Sequence, residues 1–202
     1  MGLDFAKIGL KAGLEVHQQL DTGKLFCRCP SVLRDEEPDV IFSRKLRAVA
    51  SEMGEFDAAA LEAFMKGHSF EYQGYSDTTC LIEADEAPPR PCDKEALEVI
   101  IKVSLMAKSN LMDRLVVMRK AVIDGSNTSG FQRTMLVAVG GKLEIKNKDV
   151  GILSIALEED AARPIERKEE TVVYRVDRLG IPLIELATAP DLKTPEEVKE
   201  CA

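Results

Sequence analysis

Alternating apolar and polar side chains characterise the first strand-like segment of the chain. The segment GLEVHQQLDTGKLFC alternates as a strand with one buried face does, and the DTGK in its middle is a turn signal. Further along, HSFEYQGYS also has strand-like chemistry. The first pattern predicts an early β-hairpin.

Helical patterns occur in three places. Residues 57–66, DAAALEAFMK, have helix-forming composition and are followed by Gly67 as a stop signal. Asp93 is a good N-cap for KEALEVIIKVSLMAKSNLM, whose apolar residues follow one broad helical face, and the proline-rich segment 87–92, APPRPC, forms a joint before it. At Thr194, TPEE combines an N-cap, a proline at the first helical position and a glutamate three residues after the cap. This pattern predicts that a third helix begins there.

The second half of the chain is rich in predicted strands. They are LVVMRKAVI, RTMLVAVGGKLEI with a turn at Gly140-Gly141, VGILSIALEE, TVVYRV and PLIELAT. Mixed strands with few helices predict an α+β architecture around a mainly antiparallel sheet, and we assign residues 1–202 to one domain. Because a helix of the length left after Thr194 is marginal by itself, we expect the natural protein to continue beyond it.

The composition limits the classes of protein to which the chain can belong. Its 202 residues are 45% hydrophobic, which is enough for a buried core, and no stretch approaches the roughly 18 to 20 consecutive apolar residues of a membrane helix. The first residues do not form a signal peptide, and Ala6 stands where a lipid-acceptor pattern needs Ser or Thr. We therefore expect a cytoplasmic protein without a membrane partner.

The net charge of −8 arises from 27 Lys and Arg against 35 Asp and Glu. Such an acidic surface repels a phosphate backbone unless basic residues gather locally. If RNA is a partner, we expect most of its binding energy to come from outside residues 1–202.

Acidic side chains are the first candidates for chemistry, because no P-loop motif GxxxxGK[ST] and no GxGxxG occurs. Glu15 and His17 are two residues apart in a predicted strand, so their side chains share a face. The run EED at 158–160 is a second acidic cluster. Glu185 has apolar neighbours on both sides, where an unpaired carboxylate is costly to bury, so we expect a cation beside it.

Two interpretations of these acids are open at this level. In one, they face solvent and His17 forms a local hydrogen bond. In the other, they bind a cation, and carboxylates with one imidazole suit magnesium or manganese, which prefer hard oxygen ligands. The pattern alone does not decide between the two.

Four segments carry a resemblance to a known family: GLEVHQQLDTGKLFCRCPS, VIDGSNTSGFQRT, ALEEDAAR and YRVDRLGIPLIELATAPDLKTPEEV. In order and spacing they resemble the signature segments of the amidotransferase B/E family, across about the whole chain. GLEVH and RLGIPLIEL look typical of the family, whereas SNTSGFQRT and LEEDAAR resemble its archaeal E-type branch more than its bacterial B-type branch.

The resemblance implies a cradle-shaped catalytic domain that uses ATP and magnesium to phosphorylate the glutamate of misacylated Glu-tRNA(Gln), after which ammonia displaces the phosphate. It implies as partners the acceptor end of Glu-tRNA(Gln) and a separate asparaginase-like, ammonia-producing protein. It also implies that the C-terminal regions that hold the tRNA body are absent from residues 1–202. By motif, the magnesium ligands and catalytic residues are Glu15, His17, Glu159 and Glu185.

Further site candidates accompany the resemblance. A metal held by carboxylates, with basic residues around the phosphates, is sufficient for phosphoryl transfer. The candidates are Arg119, Lys120, Arg133 and Arg178 for the phosphates of ATP, and Asp124, Ser126, Asn127 and Gln132 for the polar ends of the substrates.

The five cysteines indicate thiols or metal ligands rather than a disulfide framework, because their number is odd and the chain shows no export signal. In the B-type branch, the CxC that resembles Cys27-x-Cys29 is commonly followed by a CxxC that completes a zinc site, but no CxxC occurs here. Cys80 and Cys92 can supply the other two thiolates of a zinc site, with the proline-rich segment between them. The alternative is that all four are free thiols.

Two functions of other classes compete with the amidotransferase. One is a non-catalytic docking fragment for the asparaginase-like partner, and the other is a metal-dependent hydrolase of a different substrate. A docking fragment has no need for the four candidate magnesium ligands to converge. Their positions in the fold therefore discriminate between docking and catalysis.

Overall fold

A computed structural model describes residues 3–202 except 46, 47, 49, 52, 57, 66, 68, 147, 169 and 170. Within these residues the chain forms three helices and eleven strands. The helices are α1 Ala58–Met65, α2 Lys94–Met106 and α3 Pro195–Cys201. The strands are β1 Glu15–Gln19, β2 Val40–Lys45, β3 Ser69–Gly74, β4 Asn110–Leu111, β5 Val117–Ala121, β6 Phe131–Val139, β7 Lys142–Ile145, β8 Lys148–Glu159, β9 Arg163–Arg167, β10 Thr171–Arg175 and β11 Pro182–Thr188.

An antiparallel sheet of seven strands organises the chain. Its order is β1-β11-β8-β6, with β4 and β5 both paired to the outer side of β6 and β7 paired to the start of β8. Alternate side chains of each strand point to opposite faces. On one face, Met135, Ile155, Leu157 and Ile184 pack with Ile100 of α2 in the main hydrophobic core. The opposite face carries polar side chains, and we call it the polar face.

Strands β2, β3, β10 and β9 form a second sheet in that order, in which β3 and β10 run parallel. Its core contains stacked aromatic rings, with the Tyr72 centroid 5.2 Å from that of Phe42 and 6.1 Å from that of Tyr174. The hydroxyl groups of Tyr72 and Tyr174 each donate a 2.7 Å hydrogen bond, to the carbonyl oxygens of Gly125 and Asp124 respectively. These bonds hold the loop between β5 and β6 against the second sheet.

The predicted α+β architecture with a mainly antiparallel sheet is confirmed. Helix α2 begins after Asp93, whose carboxylate accepts a 2.9 Å hydrogen bond from the Ala96 amide. Helix α3 begins after Thr194, whose hydroxyl accepts a 3.2 Å hydrogen bond from the Glu197 amide. Both caps satisfy amide groups that the first turn of a helix leaves without partners, which is why they are readable in the sequence.

The predictions for the first third of the chain fare less evenly. Helix α1 covers the middle of the predicted segment 57–66, whose end residues Asp57 and Lys66 lie outside the described residues. The predicted early hairpin is wrong, because β1 pairs with β11 instead of the segment after the DTGK turn. In that segment, Leu25 and Phe26 are buried in the main core with α2, which keeps them out of a strand beside β1. Within the described part of the chain, the helices are too short or too polar to cross a membrane.

Gly125 tests how closely the loop between β5 and β6 packs on the second sheet. It has φ +82°, and a Cβ there would lie 2.4 Å from the ring of Phe70, whereas Gly54 has φ +80° but meets nothing within 4 Å among the described residues. Alanine at either position incurs backbone strain of about 1–2 kcal/mol. Only Gly125→Ala adds overpacking, which costs about 1–3 kcal/mol. We expect urea unfolding to show Gly125→Ala as less stable than Gly54→Ala by this second amount, and equal losses would contradict the close packing.

Candidate functional site

The polar face brings together three of the four predicted metal ligands. Strands β1 and β11 pair so that His17 lies directly opposite Glu185, and the alternation of β1 places Glu15 on the same face. His17 Nε2 is 3.3 Å from Glu185 Oε2 and 3.9 Å from Glu15 Oε1. One ligand atom from each residue lies within 4.8 Å of the others, a spacing that one metal ion can bridge. We call these three residues the carboxylate–histidine cluster.

Glu158 of β8 extends the cluster on the same face. The register of β8 with β11 places its side chain on the face of Glu185. The ammonium group of Lys120 on β5 lies 3.3 Å from a Glu158 oxygen and 3.5 Å from a Glu185 oxygen, so it links the two carboxylates. Gln132 Nε2 and Thr134 Oγ1 each donate a 3.0 Å hydrogen bond to Glu158. The Glu158 carboxylate is thus held in place although its side chain is buried.

The charges on the polar face shift two pKa values. Burial raises the pKa of Glu185, and the nearby Glu158 carboxylate raises it further because two close negative charges disfavour each other. Burial by itself would lower the pKa of Lys120, but the carboxylates of Glu158 and Glu185 outweigh it and raise that pKa. The face therefore holds negative charge that a cation stabilises.

Glu159, the fourth predicted ligand, is not in the carboxylate–histidine cluster. Neighbouring residues of a strand point to opposite faces, so Glu159 points away from Glu158 into the interior, where it is 4% exposed. Arg133 binds its carboxylate through the backbone N–H at 3.0 Å and through the guanidinium at 3.1 and 3.2 Å. Burial raises the pKa of Glu159, and Arg133 counteracts part of the rise. The place on the polar face belongs to Glu158 instead.

Four further candidates lie on β5 and β6 and divide between the two faces of the sheet. Lys120 and Gln132 are paired in the register and reach the polar face, where both contact Glu158. Arg119 and Arg133 are paired in the same register, so their side chains point to the opposite face. Only the first pair therefore stands beside the carboxylate–histidine cluster.

The other four polar candidates are outside the cluster. Asp124 Oδ1 accepts a 2.9 Å hydrogen bond from the Ser126 amide within the loop between β5 and β6. Asn127 is buried in that loop, and its Nδ2 has no hydrogen-bond partner among the described residues. Arg178 donates to two backbone carbonyl oxygens at 2.7 and 3.2 Å. These contacts organise the chain around the site rather than within it.

A second group of metal-ligand residues lies between the turn after β1 and the segment before α2. One ligand atom from each of Cys27, Cys29, Cys80 and Glu83 lies within 4.8 Å of the others. Cys27 Sγ donates to Glu83 Oε1 at 2.9 Å, and the buried Lys24 Nζ lies 3.4 Å from the same oxygen. We call the four residues the thiol–carboxylate cluster.

Cys92, predicted to be the fourth zinc ligand, is not in this cluster, and Glu83 takes its place. The proline-rich segment carries Cys92 to the start of α2, where its thiol donates to the Asp93 carbonyl oxygen at 3.4 Å. The hydrogen bond with Cys27 lowers the pKa of the Cys29 thiol to about 7. One thiol of the cluster is therefore readily ionised near neutral pH, as a metal ligand must be.

Sequence patterns did not identify Glu158 and Glu83. For Glu158, the motif LEED offers two adjacent glutamates, and only the register of β8 shows which one shares the face of Glu185. For Glu83 a signal exists, since Cys80-x-x-Glu83 has the spacing of a metal-binding CxxC with a carboxylate in place of the second thiol.

Arg133→Met tests the structural role of the Arg133–Glu159 pair. Removing one partner of a buried ion pair costs about 3–5 kcal/mol, because the other charge stays buried without compensation. Arg119→Met is the matched control, because Arg119 is the cross-strand partner of Arg133 but is exposed, and we expect it to cost about 1 kcal/mol or less. Urea unfolding measures both losses. The pair has no structural role if Arg133→Met is as stable as the control, or if adding Glu159→Gln to it restores nothing.

Comparison with known proteins gives a match over nearly the whole chain. Residues 10–202 match the family model described as the GatB/GatE catalytic domain. The E-type glutamyl-tRNA(Gln) amidotransferase subunit of Methanocaldococcus jannaschii is 56% identical over 203 residues, which cover 100% of this chain and 32% of that relative. The proteins of the same name from Pyrobaculum neutrophilum and Aeropyrum pernix are each 53% identical over 201 residues, which cover 99% of this chain and 33% and 31% of those relatives. The chain thus spans about a third of the length of the curated relatives it matches.

Proposed function

Because the chain belongs to the GatB/GatE catalytic domain family, we propose that it catalyses the ATP- and magnesium-dependent phosphorylation of the glutamate on Glu-tRNA(Gln), which ammonia then converts to glutamine. The observation that carries the proposal is the convergence of Glu15, His17 and Glu185 within 4.8 Å on an accessible face of the main sheet. A docking fragment has no need for this convergence. The name shared by the similar relatives supports Glu-tRNA(Gln) as the substrate.

A divalent cation suits the carboxylate–histidine cluster. Two carboxylates and one imidazole are donors that magnesium or manganese accepts. The raised pKa of Glu185 reflects negative charge that a cation relieves. Bound there, the cation would neutralise and align the transferring phosphoryl group.

The residues beside the cluster have roles that follow from their contacts. Lys120 is 55% exposed, so its ammonium group can turn from Glu158 and Glu185 towards a phosphate oxygen. Gln132 and Thr134 keep the Glu158 carboxylate on the polar face. Phosphoryl transfer depends chiefly on positioning and charge neutralisation, so these side chains are a sufficient set.

Ammonia supply and most of the tRNA binding belong, in this proposal, to parts outside the chain. A net charge of −8 opposes binding to a phosphate backbone, and the similar relatives are about three times as long as the chain. An asparaginase-like partner would provide the ammonia, and further regions would hold the tRNA body while its acceptor end reaches the polar face. We assign this reaction to the cytoplasm, where aminoacyl-tRNA is used.

A metal-dependent hydrolase of another substrate is the remaining alternative, because it could use the same cluster. The two functions differ in what triggers ATP cleavage. The amidotransferase cleaves ATP only when Glu-tRNA(Gln) is present, whereas a hydrolase has no such requirement.

The catalytic proposal is tested by single-turnover ATP cleavage with the full-length protein. We expect cleavage to depend on Glu-tRNA(Gln) and to be abolished in Glu185→Gln, while filter binding shows unchanged affinity for the tRNA. Glu166→Gln, an exposed acid on β9 in the other sheet, is the control and should behave as wild type. Cleavage that proceeds without Glu-tRNA(Gln), or at a normal rate in Glu185→Gln, would contradict the proposal.

The metal ligands are tested by titration calorimetry with magnesium and manganese. We expect Glu15→Gln and Glu185→Gln to weaken binding by at least about tenfold, as the loss of even an outer-shell partner does. Glu159→Gln should bind the metal as wild type does, because Glu159 is engaged with Arg133 in the interior. Equal affinity in wild type, Glu15→Gln and Glu185→Gln would refute the site.

We also propose that the thiol–carboxylate cluster binds a structural zinc ion. Closed zinc sites use four ligands drawn from Cys, His and carboxylates, which Cys27, Cys29, Cys80 and Glu83 supply. The buried ammonium group of Lys24 beside Glu83 offsets part of the negative charge that three thiolates and a carboxylate bring together.

Metal analysis of protein purified without chelator tests the zinc site. We expect about one zinc per chain, as a closed four-ligand site requires. Cys80→Ser and Glu83→Gln should lose the zinc and stability together, because zinc binding is coupled to folding. Cys92→Ser is the control and should keep both. The absence of zinc, with the cluster thiols reactive in the native protein, would refute the site.

A further inference from the structure

A second concavity lies on the side of β5 and β6 opposite the polar face. It has a volume of about 370 Å³ and is bounded by these two strands and by the proline-rich segment 87–92. We call it the arginine–aromatic pocket. Its main side chains are Phe26, Arg90, Pro91, Arg119, Phe131 and Arg133.

Three guanidinium groups line this pocket, although the chain as a whole has a net charge of −8. The described residues that line it include no acid. Arg133 is engaged with Glu159, so the charge offered to a ligand comes mainly from Arg90 and Arg119. The pocket is therefore a local gathering of basic groups of the kind that phosphate binding on an acidic protein requires.

The guanidinium groups lie against aromatic rings. Cζ of Arg119 is 5.4 Å and Cζ of Arg133 is 5.3 Å from the centroid of Phe131, and Arg133 is also 5.8 Å from the centroid of Phe26. Planar guanidinium and aromatic groups are the surfaces on which unpaired nucleobases stack. An apolar pocket of this size with cations at its edge suits a planar, anionic ligand better than a bare phosphate ion.

The proline-rich wall of the pocket is fixed before a ligand binds. The Arg90 N–H donates a 2.8 Å hydrogen bond to the Phe26 carbonyl oxygen, and the Asp93 N–H donates one of 2.8 Å to the Leu25 carbonyl oxygen. Prolines on both sides of Arg90 restrict the backbone further. Such preorganisation lowers the entropic cost of binding.

We propose that the arginine–aromatic pocket binds an unpaired nucleotide, with its base against Arg119 and Phe131 and its phosphate facing Arg90. Strand β5 is an edge of the sheet and presents Lys120 to the polar face and Arg119 to the pocket. An RNA strand that crosses this edge can therefore contact both faces. That extension to RNA rests on the proposed function, whereas nucleotide binding by the pocket does not.

Fluorescence anisotropy with a labelled single-stranded RNA tetramer tests the pocket, with ATP and a fully paired RNA duplex as competitors. We expect the protein to bind the tetramer and the duplex to compete poorly, because paired bases are not free to stack in the pocket. Arg90→Ala and Arg119→Met should each weaken tetramer binding by about tenfold. Arg167→Ala is the matched control, since it removes one exposed arginine from β9 in the other sheet and should leave the affinity unchanged.

The competitors distinguish the source of the nucleotide. If ATP displaces the tetramer and this competition weakens in Arg119→Met, the pocket takes free nucleotides; if only single strands compete, it takes RNA. Binding of neither probe, or equal binding by wild type, Arg90→Ala and Arg119→Met, would overturn the proposal. Glu185→Gln separates it from the catalytic proposal, because this variant should lose Glu-tRNA(Gln)-dependent ATP cleavage and still bind the tetramer normally.

Discussion

The alternation of side chains along β8 determines the chemistry of both faces of the main sheet. Glu158 and Glu159 are consecutive, so one joins the polar face and the other enters the interior, and each is nearly buried, at 2% and 4% exposure. A buried carboxylate is costly unless it is paired. Strand β6 supplies the partners in the same alternation, with Gln132 and Thr134 bonded to Glu158 and Arg133 between them bonded to Glu159. A slip of one residue in this register would leave both acids without partners.

The interior side of this arrangement connects the candidate site to the thiol–carboxylate cluster. Arg133 and Glu159 lie around a small cavity of about 20 Å³ with Lys24, Glu83 and Asn127, which is room for about one water molecule. Two ion pairs of opposite orientation thus meet between the main sheet and the segment that carries the thiols. Buried pairs add little net stability, but the loss of one partner is severely penalised, so they hold these segments in one arrangement.

The sequence is informative wherever the physical cause is local. The caps at Asp93 and Thr194 act on amides three residues away, and the α+β class follows from the periodicity of short segments. Pairing across the chain has no such local signature, which is why the early hairpin is wrong and the choice between Glu158 and Glu159 required the register. For the thiol cluster the opposite holds, because Glu83 follows Cys80 at ligand spacing and was hidden only by its being a carboxylate.

Anomalous diffraction from crystals of the protein soaked in manganese tests the assignment of the polar face most directly. We predict one strong anomalous peak within ligand distance of Glu15, His17 and Glu185, with the Glu159 carboxylate still bound to Arg133 in the interior. A peak coordinated by Glu159, or no peak at the carboxylate–histidine cluster at a manganese concentration that saturates binding in solution, would contradict the assignment.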